Sequence, residues 1–467
     1  MLKRMLLPLL VCLLALSAAA QEYGRGATLD PDIYNRLPQK AVQLSRGYMG
    51  LPASVSLKSY APFPGNQGAY SSCTAWAAAF AARTLSESIA INRYDRGQTS
   101  GSAFSPAFVY KSISSDPFCK QGTMISHALD LMQKEGVPRM SDAERNTDFI
   151  RVSPALYRDS RKYTIGGYST LFRFFRTGSA GNGGVTAVKK SLSEGKPVII
   201  GMNTPDSFMK IRGKNVWKPV EDPAVNWGGH AMCVVGYDDG FAGGAFELQN
   251  SWGANWGDRG YGWVSYADFG RFVNEAYEMI ENLDEFKDRV EYSGYVDIEL
   301  RNSNEGMPVR FDSAGFYRAT RAYPSGTRFR YIMGNNSPAY VYAFASDSAT
   351  GATTRIFPPD GISPVLDYRE NAVAFPGEYS WIEMDNVTGV DYLVVLFAKR
   401  ELDIDAVRVR FERERGGFPE RVARAVGSDY IPPDYARYDK DRLAFSAVMP
   451  NNRAALGLLL AIEHSAR

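Results

Sequence analysis

Cysteine and histidine are scarce in this sequence. Its 467 residues include four cysteines and three histidines. Cys12 lies in an apolar N-terminal stretch, and the other cysteines are odd in number, so at least one thiol is free. This scarcity excludes a small scaffold held together by disulfides. The histidines and cysteines are also too few for a metal-ligand cluster, so we expect neither a metal nor another cofactor.

A long hydrophobic run that could anchor the chain in a membrane is also lacking. Near the N-terminus, Lys3 and Arg4 precede an apolar stretch at 5–16, and small residues follow at 18–20. The stretch is shorter than the ~20 residues that span a bilayer, and its basic start and small-residue end are typical of a secretory signal. We therefore predict a cleaved signal peptide at 1–20, a secreted protein (extracellular or periplasmic) and no membrane span.

An excess of charge of either sign is missing as well. The formal net charge is +2, and removal of the predicted signal with Lys3 and Arg4 would bring it to 0. A neutral chain has no electrostatic reason to bind nucleic acid, so no nucleic-acid partner is expected. The hydrophobic fraction of 45% is sufficient for packed cores, and the length predicts two domains rather than one.

The first half of the mature chain has a mixed pattern. Residues 21–50 are polar and lack periodicity, and we interpret them as a short leader or pro-segment. From 51 to 285, helical and strand patterns are mixed, which predicts an α+β domain. Helices are predicted at 73–89, from Ser105 onward, at 123–135 and at 186–194, and strands at 197–202, 230–237 and 246–250.

After about residue 286 the pattern changes to short aromatic or β-branched segments separated by Gly, Pro, Asn and Ser. Such spacing predicts an antiparallel β-sandwich at 294–415. Residues 407–415 alternate apolar and charged side chains and are predicted as an exposed edge strand. Residues 416–467 are set apart as a C-terminal extension, in which 454–462 is predicted to be a buried element. The other strands are predicted at 294–300, 329–333, 340–345, 353–357, 379–384 and 392–398.

Cys73 and His230 are candidates for nucleophilic catalysis. Thiol attack on an amide needs a thiolate, a base that carries the proton and a group that orients the base. Cys73 would lie at the N-terminus of a helix, whose dipole favours the thiolate. His230 follows two glycines at the start of a predicted strand. Taken singly, a free cysteine is more often a buried core residue, and a lone histidine is more often structural.

Three sequence blocks resemble the papain-like cysteine peptidases (papain, cathepsins and bacterial relatives). Gln67 lies six positions before Cys73, His230 opens an apolar strand, and Asn250 begins the block Asn-Ser-Trp-Gly. The order Cys, His, Asn and the preceding glutamine are similar to those of this family over about 51–283. The resemblance implies a papain-like fold, in which a helical subdomain and a β-barrel-like subdomain flank an active-site cleft.

The resemblance also implies a role for each matched catalytic residue. Cys73 would be the nucleophile, and His230 would carry its proton. The side-chain carbonyl of Asn250 would orient the imidazole. Gln67 would donate its amide N–H to the oxyanion, together with the backbone N–H of Cys73. These four residues are the predicted catalytic set.

Three further positions are predicted to contact substrate or to shield the site. Trp252 would cover the histidine–asparagine contact, Gly122 would pair with an extended substrate, and Gly229 adjoins the catalytic histidine. The family usually has a cysteine at the position of Tyr70, so its usual partner, Cys119, is expected to be unpaired.

The function implied by the resemblance is hydrolysis of peptide bonds in a peptide or protein substrate, as an endopeptidase or an exopeptidase. Two alternatives are a weakly active or inactive papain-fold binding protein and a cell-wall amidase. The C-terminal part is expected to serve targeting, docking to a partner or substrate, or stabilisation. The sequence leaves open whether the leader blocks the cleft.

Overall fold

A computed structural model describes most of the protein, namely residues 23–143, 152–174, 181–282, 291–301, 306–367, 372–448, 450 and 452–467. The predicted signal at 1–20 and the predicted boundary near 286 lie outside these residues. The described part contains helices and several β-sheets, and the predicted α+β class is confirmed. Within it, no helix has the length and apolar character needed to cross a bilayer.

The described residues up to 282 pack helices and one sheet around a shared hydrophobic core. Its central helix runs without a break through Cys73–Ala75, the π-helical Trp76–Arg83 and Thr84–Ala90, as predicted. Its alanines between Ala75 and Ala82 are buried, because small side chains let the helix approach the sheet closely. The other helices are Pro31–Tyr34, Arg96–Gly101, Pro106–Ile113, Ile125–Lys134, Met140–Ala143, Pro154–Ser160, Gly181–Ser193, Asp206–Met209 and Tyr266–Phe272, with 3-10 turns at Ser45–Tyr48 and Arg161–Tyr163.

The sheet of this part has eight strands among the described residues. Gly229–Asp238 lies near its middle and is buried over almost its whole length, and Val198–Asn203 beside it is fully buried. Because His230 is the second residue of this strand, the sheet fixes its position next to the central helix. The strands, in spatial order, are Gly167–Thr170, Val273–Ile280, Val198–Asn203, Gly229–Asp238, Ala245–Gln249, Tyr261–Ser265 and Val216–Trp217, with Ser54–Ser56 also beside Gly229–Asp238.

The described residues from Glu291 onward, called the C-terminal domain below, form two sheets around a second core. This confirms the prediction of a β-rich C-terminal domain. Two short strands, Phe316–Ala319 and Tyr323–Pro324, each pair with Ala455–Ser465 in parallel rather than antiparallel. One sheet has the order Val309–Ser313, Phe316–Ala319, Ala455–Ser465, Gly389–Ala398, Ala339–Asp347 and Thr353–Phe357. Tyr323–Pro324 also pairs with Ala455–Ser465, and Val365–Leu366 also pairs with Ala339–Asp347. The other has the order Val373–Phe375, Arg328–Asn335, Glu291–Leu300, Leu443–Val448 and Ala436–Tyr438, with Ile382–Glu383 beside Arg328–Asn335.

The predicted edge strand at 407–415 is wrong, because this stretch lies mainly in the helix Ile404–Arg413. Asp403 caps the helix by accepting a hydrogen bond from the Ala406 N–H. Val407 and Phe411 lie on one face and are buried, together with the helix Phe418–Val426, against the outer side of the larger sheet. Val407 and Phe411, four residues apart, fit the period of a helix as well as that of a strand. Packing of this stretch against the sheet favours the helix over the strand.

Residues 416–467, predicted as an extension, contribute strands to both sheets. Ala455–Ser465 lies between Phe316–Ala319 and Gly389–Ala398, and its apolar start is buried as predicted. Leu443–Val448 pairs with Glu291–Leu300 in the second sheet. Residues 416–467 are therefore part of the C-terminal domain, since their strands pair with earlier strands and contribute to the same core.

Leu458 offers a test of this arrangement. Its side chain is fully buried between the two sheets. We expect Leu458→Ala to lower the free energy of unfolding by about 2–5 kcal/mol, because it opens a cavity in a packed core. Val448→Ala is the control, since Val448 is 60% exposed and surface changes usually stay within about 0.5 kcal/mol. Urea unfolding followed by circular dichroism measures both, and equal losses would contradict the burial of this strand.

Candidate active site

Cys73 is the first residue of the central helix, directly after Ser72. Its side chain is fully buried. The sulfur accepts a hydrogen bond from the Gly26 N–H at 3.3 Å and is also approached by the Ala231 N–H. Because Ala231 follows His230, the helix and the sheet bring the candidate nucleophile and the candidate base together.

His230 and Asn250 are joined by a buried hydrogen bond of 2.7 Å between Nε2 and Oδ1. The same Oδ1 accepts the Ser251 N–H at 2.7 Å, which fixes the amide with its oxygen toward the ring. An amide oxygen only accepts, so His230 Nε2 carries the hydrogen and Nδ1 does not. Among the described residues, Nδ1 has no hydrogen-bond partner. This is the tautomer that can take a proton from a thiol.

Trp252 lies flat against the imidazole. The two ring centres are 4.3 Å apart and the planes are inclined by 21°. Tyr23 of the leader also stacks on the indole, at 4.9 Å and 18°. The indole is fully buried. Trp252 therefore keeps water from the contact between His230 and Asn250 on one side.

Gln67 lies beside the nucleophile, and its side chain is oriented from both ends. Its Oε1 accepts the Ser251 hydroxyl at 2.6 Å. Its Nε2 donates to Tyr70 O at 2.7 Å and to Gly24 O at 3.2 Å. The Trp252 indole N–H donates to the same Gly24 oxygen at 3.1 Å. A carbonyl of the leader thus accepts a hydrogen bond from the Gln67 amide, one of the two donors that the sequence assigned to an oxyanion.

Residues 23–29 of the leader, called the cleft segment below, lie across this site. The Gly24 N–H donates to Gly68 O at 3.2 Å, and the Ala27 N–H donates to Gly229 O at 3.0 Å. Two backbone hydrogen bonds, each of 2.9 Å, join the segment to Thr123. The Thr123 N–H donates to Gly26 O, and the Thr28 N–H donates to Thr123 O. The cleft segment therefore blocks direct access to Cys73.

Gly122 and Gly229 both contact the cleft segment. A Cβ on Gly229 would overlap the Ala27 carbonyl, and one on Gly122 would lie 3.1 Å from the Thr28 hydroxyl. Extended chain can approach because both positions lack a side chain. On the other side of the segment from Gly229, however, the backbone that pairs is that of Thr123 rather than that of Gly122, which sequence reasoning missed. Its position directly after Gly122 was the available signal.

Glu275 is a further residue that the sequence did not single out. Leu29 lies against Gly201, and a Cβ there would approach Leu29, Ile125 and the Glu275 side chain. Glu275 accepts the Tyr277 hydroxyl, and burial raises the pKa of its carboxyl to about 7. An acidic residue within the apolar strand Val273–Ile280 was the signal that could have found it. A buried carboxyl group with a raised pKa therefore lies close to Leu29 of the leader.

Burial beneath the cleft segment shifts the pKa values of His230 and Cys73. Burial lowers the pKa of His230 to about 4, opposed by the hydrogen bond to Asn250 and aided by the positive charge of Arg25. Burial also raises the pKa of the Cys73 thiol to about 11. Near neutral pH both groups are therefore uncharged while the cleft segment is in place. A thiolate–imidazolium pair needs the opposite shifts.

The remaining histidines and thiols lie elsewhere. His127 is exposed on the helix Ile125–Lys134. His464 is buried in the C-terminal domain, with Nε2 at 3.0 Å from Ser325 Oγ. Cys119 and Cys233 are buried and unpaired. Within the described ranges, no three His, Cys, Asp or Glu side chains are grouped so that they could hold a metal ion.

Similarity to known proteins covers the part of the chain that contains this site. The family model for papain family cysteine proteases matches residues 64–277. An uncharacterized peptidase C1-like protein of Acanthamoeba polyphaga mimivirus is 35% identical over 79 residues, which are 16% of this chain and 24% of that protein. The matched part thus spans about a quarter of that relative's length.

Solved structures with a similar backbone include two cysteine proteases. Xylellain from Xylella fastidiosa is 24% identical, with a TM-score of 0.43, over 56% of this chain and 97% of its own. Digestive procathepsin L 3 from the larval midgut of Tenebrio molitor is 20% identical, with a TM-score of 0.41, over 56% of this chain and 76% of its own.

The helix, the sheet and the buried cysteine and histidine between them define a domain of the cysteine protease class. Residues 64–277 match the family of papain-like cysteine proteases. The resemblance to papain-like peptidases and the papain-like fold expected from it are thereby confirmed for this part of the chain.

Gly26→Ala tests whether the cleft segment shields Cys73. A methyl group at Gly26 would overlap the Ser71 backbone, so the segment could not seat. We expect alkylation of Cys73 by iodoacetamide, followed by mass spectrometry, to become at least tenfold faster, since local opening controls access. Val42→Ala is the control, because Val42 belongs to the same leader but is 64% exposed. Equal rates in Gly26→Ala and the native protein would show that the segment is no barrier.

The pH dependence of the same reaction tests the pKa shift. In the intact protein a thiol pKa of about 11 means that the reactive thiolate is scarce at neutral pH, and the alkylation rate should keep rising toward pH 10. In Gly26→Ala, water reaches the pair, burial no longer penalises the charged forms, and the rise should move to lower pH. An intact protein whose rate is already level at pH 7 would contradict the shift.

Proposed function

We propose that the protein is a cysteine peptidase that hydrolyses peptide bonds of peptide or protein substrates and is held latent by its own leader. The observation that carries the proposal is the buried 2.7 Å hydrogen bond between His230 and Asn250 beside Cys73. It leaves the imidazole in the tautomer that accepts a proton at Nδ1. The leader's bonds to Gln67 through Gly24 and to Cys73 through Gly26 support the inclusion of Gln67 in the proposed catalytic set.

In the proposed reaction the Cys73 thiol gives its proton to His230. The thiolate sulfur then attacks the substrate carbonyl carbon and forms a C–S bond. The imidazolium returns the proton to the leaving amine as the C–N bond breaks. Water attacks the resulting thioester while His230 accepts a proton from it, and cleavage of the C–S bond releases the acid and restores the thiolate.

Gln67 is proposed to stabilise the oxygen that becomes negative in this reaction. Its amide is held by the Ser251 hydroxyl at 2.6 Å, so its N–H direction is set before substrate binds. A preorganised donor of this kind is worth ~3 kcal/mol of barrier. In the latent form the Gly24 carbonyl takes this hydrogen bond. Substrate and leader therefore compete for the same donor.

The surroundings of the enzyme are proposed from the sequence. The signal-like residues 1–20 support secretion to the extracellular space or the periplasm. A docking partner or substrate for the C-terminal domain is compatible with its position beside the cleft-bearing domain. Whether cleavage starts inside chains or at their ends would be read from the product lengths.

Cys73→Ala should abolish hydrolysis of a denatured protein substrate, because no other group at the site can form the acyl intermediate. Hydrolysis by the variant and by the native protein is compared after the leader has been removed from both, and the products are identified by mass spectrometry. Cys233→Ala is the matched control, since Cys233 is equally buried but lies within the strand that starts at Gly229. It should retain activity.

Two outcomes would favour the alternatives. A protein that labels at Cys73 but cleaves neither peptides nor proteins would be a binding module. Hydrolysis of peptidoglycan, but not of protein, would identify a cell-wall amidase. Full activity of Cys73→Ala would contradict the proposed mechanism.

A further inference from the structure

Beyond the cleft, the leader continues between the papain-like domain and the C-terminal domain. The Gln39 N–H donates to Gly361 O at 2.8 Å, and the Ser363 N–H donates back to Gln39 O at 2.8 Å. On the other side, the Lys40 N–H donates to Thr170 O at 2.8 Å. At this point the leader is a short extended strand with one backbone partner in each domain.

The side chain of Lys40 ends in a largely buried cluster of charges that it forms with Glu278, Asp367 and Lys196, and the Glu194 carboxylate lies 3.8 Å from the Lys196 ammonium. Its ammonium contacts Glu278 of the papain-like domain and lies 2.9 Å from Asp367 Oδ1 of the C-terminal domain. The Lys196 ammonium lies 2.7 Å from Asp367 Oδ2 and 3.2 Å from Glu278 Oε1. Although burial opposes its ionisation, these cations hold the pKa of Asp367 well below its usual range. Loss of Lys40 would leave two buried carboxylates sharing the remaining ammonium.

The residues after Lys40 pack into the C-terminal domain. Ala41 is part of its main core. Leu44 is buried against Ile332 and Ala372, and its N–H donates to Ala372 O at 2.9 Å. Ser45 donates from its N–H and its hydroxyl to the Glu378 carboxylate, at 2.7 and 2.8 Å. Residues 39–45, called the anchored segment below, therefore fill space that belongs to the C-terminal domain.

The cleft segment is attached in a different way. Its hydrogen bonds to the papain-like domain join backbone groups and also involve side chains, and Thr28 within it is exposed. Between the two segments, Tyr34 is buried in the papain-like core and donates its hydroxyl to Phe172 O at 2.8 Å. The leader is thus held mainly by hydrogen bonds where it covers Cys73, and by buried side chains from Tyr34 onward.

We propose that the C-terminal domain is a docking surface for the anchored segment of this chain's own leader, and that this segment stays in place when the cleft opens. The proposal rests on the proposed latent peptidase. Holding residues 39–45 keeps the cleft segment at a high effective concentration next to Cys73. Only the part before Tyr34 needs to leave for substrate to enter. The C-terminal domain thereby sets how much of the leader is removable.

Variants of the anchored segment test this docking in the full-length protein. Lys40→Met should raise amide hydrogen exchange at Gln39 and Leu44 by about tenfold or more, because the buried carboxylates then repel each other and local opening becomes easier. Amides of the strand Val198–Asn203 should not change. Lys162→Met is the control, since Lys162 forms an exposed ion pair with Asp159.

Leu44→Ala keeps the test informative if Lys40→Met does not fold. It removes apolar contact without leaving a charge unpaired, and the exposed Val42→Ala is its control. We expect faster exchange at Gln39 in Leu44→Ala and native exchange in Val42→Ala. Native exchange in both Lys40→Met and Leu44→Ala would overturn the proposal.

Mild trypsin treatment of the native chain tests which part is removable. Arg36 is exposed, whereas Lys40 is only 4% exposed. We expect cleavage after Arg36, an intact bond after Lys40, and faster alkylation of Cys73 in the product. Cleavage after Lys40 as fast as after Arg36 would overturn the proposal. A product that alkylates but hydrolyses no peptide would count against the proposed function and leave the docking result standing.

Discussion

The chemistry of the cleft depends on the hydrogen bond from His230 Nε2 to Asn250 Oδ1. It fixes the ring between the central helix and the sheet and leaves Nδ1 as the basic nitrogen. Two neighbours make this bond stable. The Ser251 N–H binds the same oxygen, and Trp252 covers the ring so that water cannot compete. Buried polar atoms cost free energy when they lack partners. His230 Nε2 and Asn250 Oδ1 have theirs, whereas His230 Nδ1 and Asn250 Nδ2 have none among the described residues.

The leader uses the same groups for the opposite purpose. Its Gly24 carbonyl takes the hydrogen bond of Gln67, and its Gly26 N–H binds the sulfur of Cys73. Because the leader also excludes water, burial raises the pKa of the thiol and lowers that of His230. The site is therefore assembled in its geometry while its charges are suppressed. Latency in this form needs no distortion of the catalytic residues.

The C-terminal domain is connected to this arrangement through buried charge. Lys40 of the leader, Glu278 of the papain-like domain and Asp367 of the C-terminal domain meet away from solvent. Buried carboxylates are stable as ions only with cations beside them, and Asp367 receives its two cations, Lys40 and Lys196, from the leader and from the papain-like domain. The leader supplies one of the two cations. It is thus a structural element of the interface as well as a cover for the cleft.

The sequence by itself determined the candidate catalytic residues and much of the local structure. The block around Asn250 and the spacing of Gln67 and Cys73 depend on residue types within short distances, and the strands after 294 follow from short aromatic or β-branched segments separated by Gly, Pro, Asn and Ser. The helix at 404–413 and the strand at 455–465 were decided by tertiary structure, because the first takes its form from the sheet it covers and the second fills a gap between strands far apart in sequence. The path of the leader was likewise undetermined. A polar segment without periodicity acquires a conformation only from backbone partners and buried charges that two other parts of the chain provide.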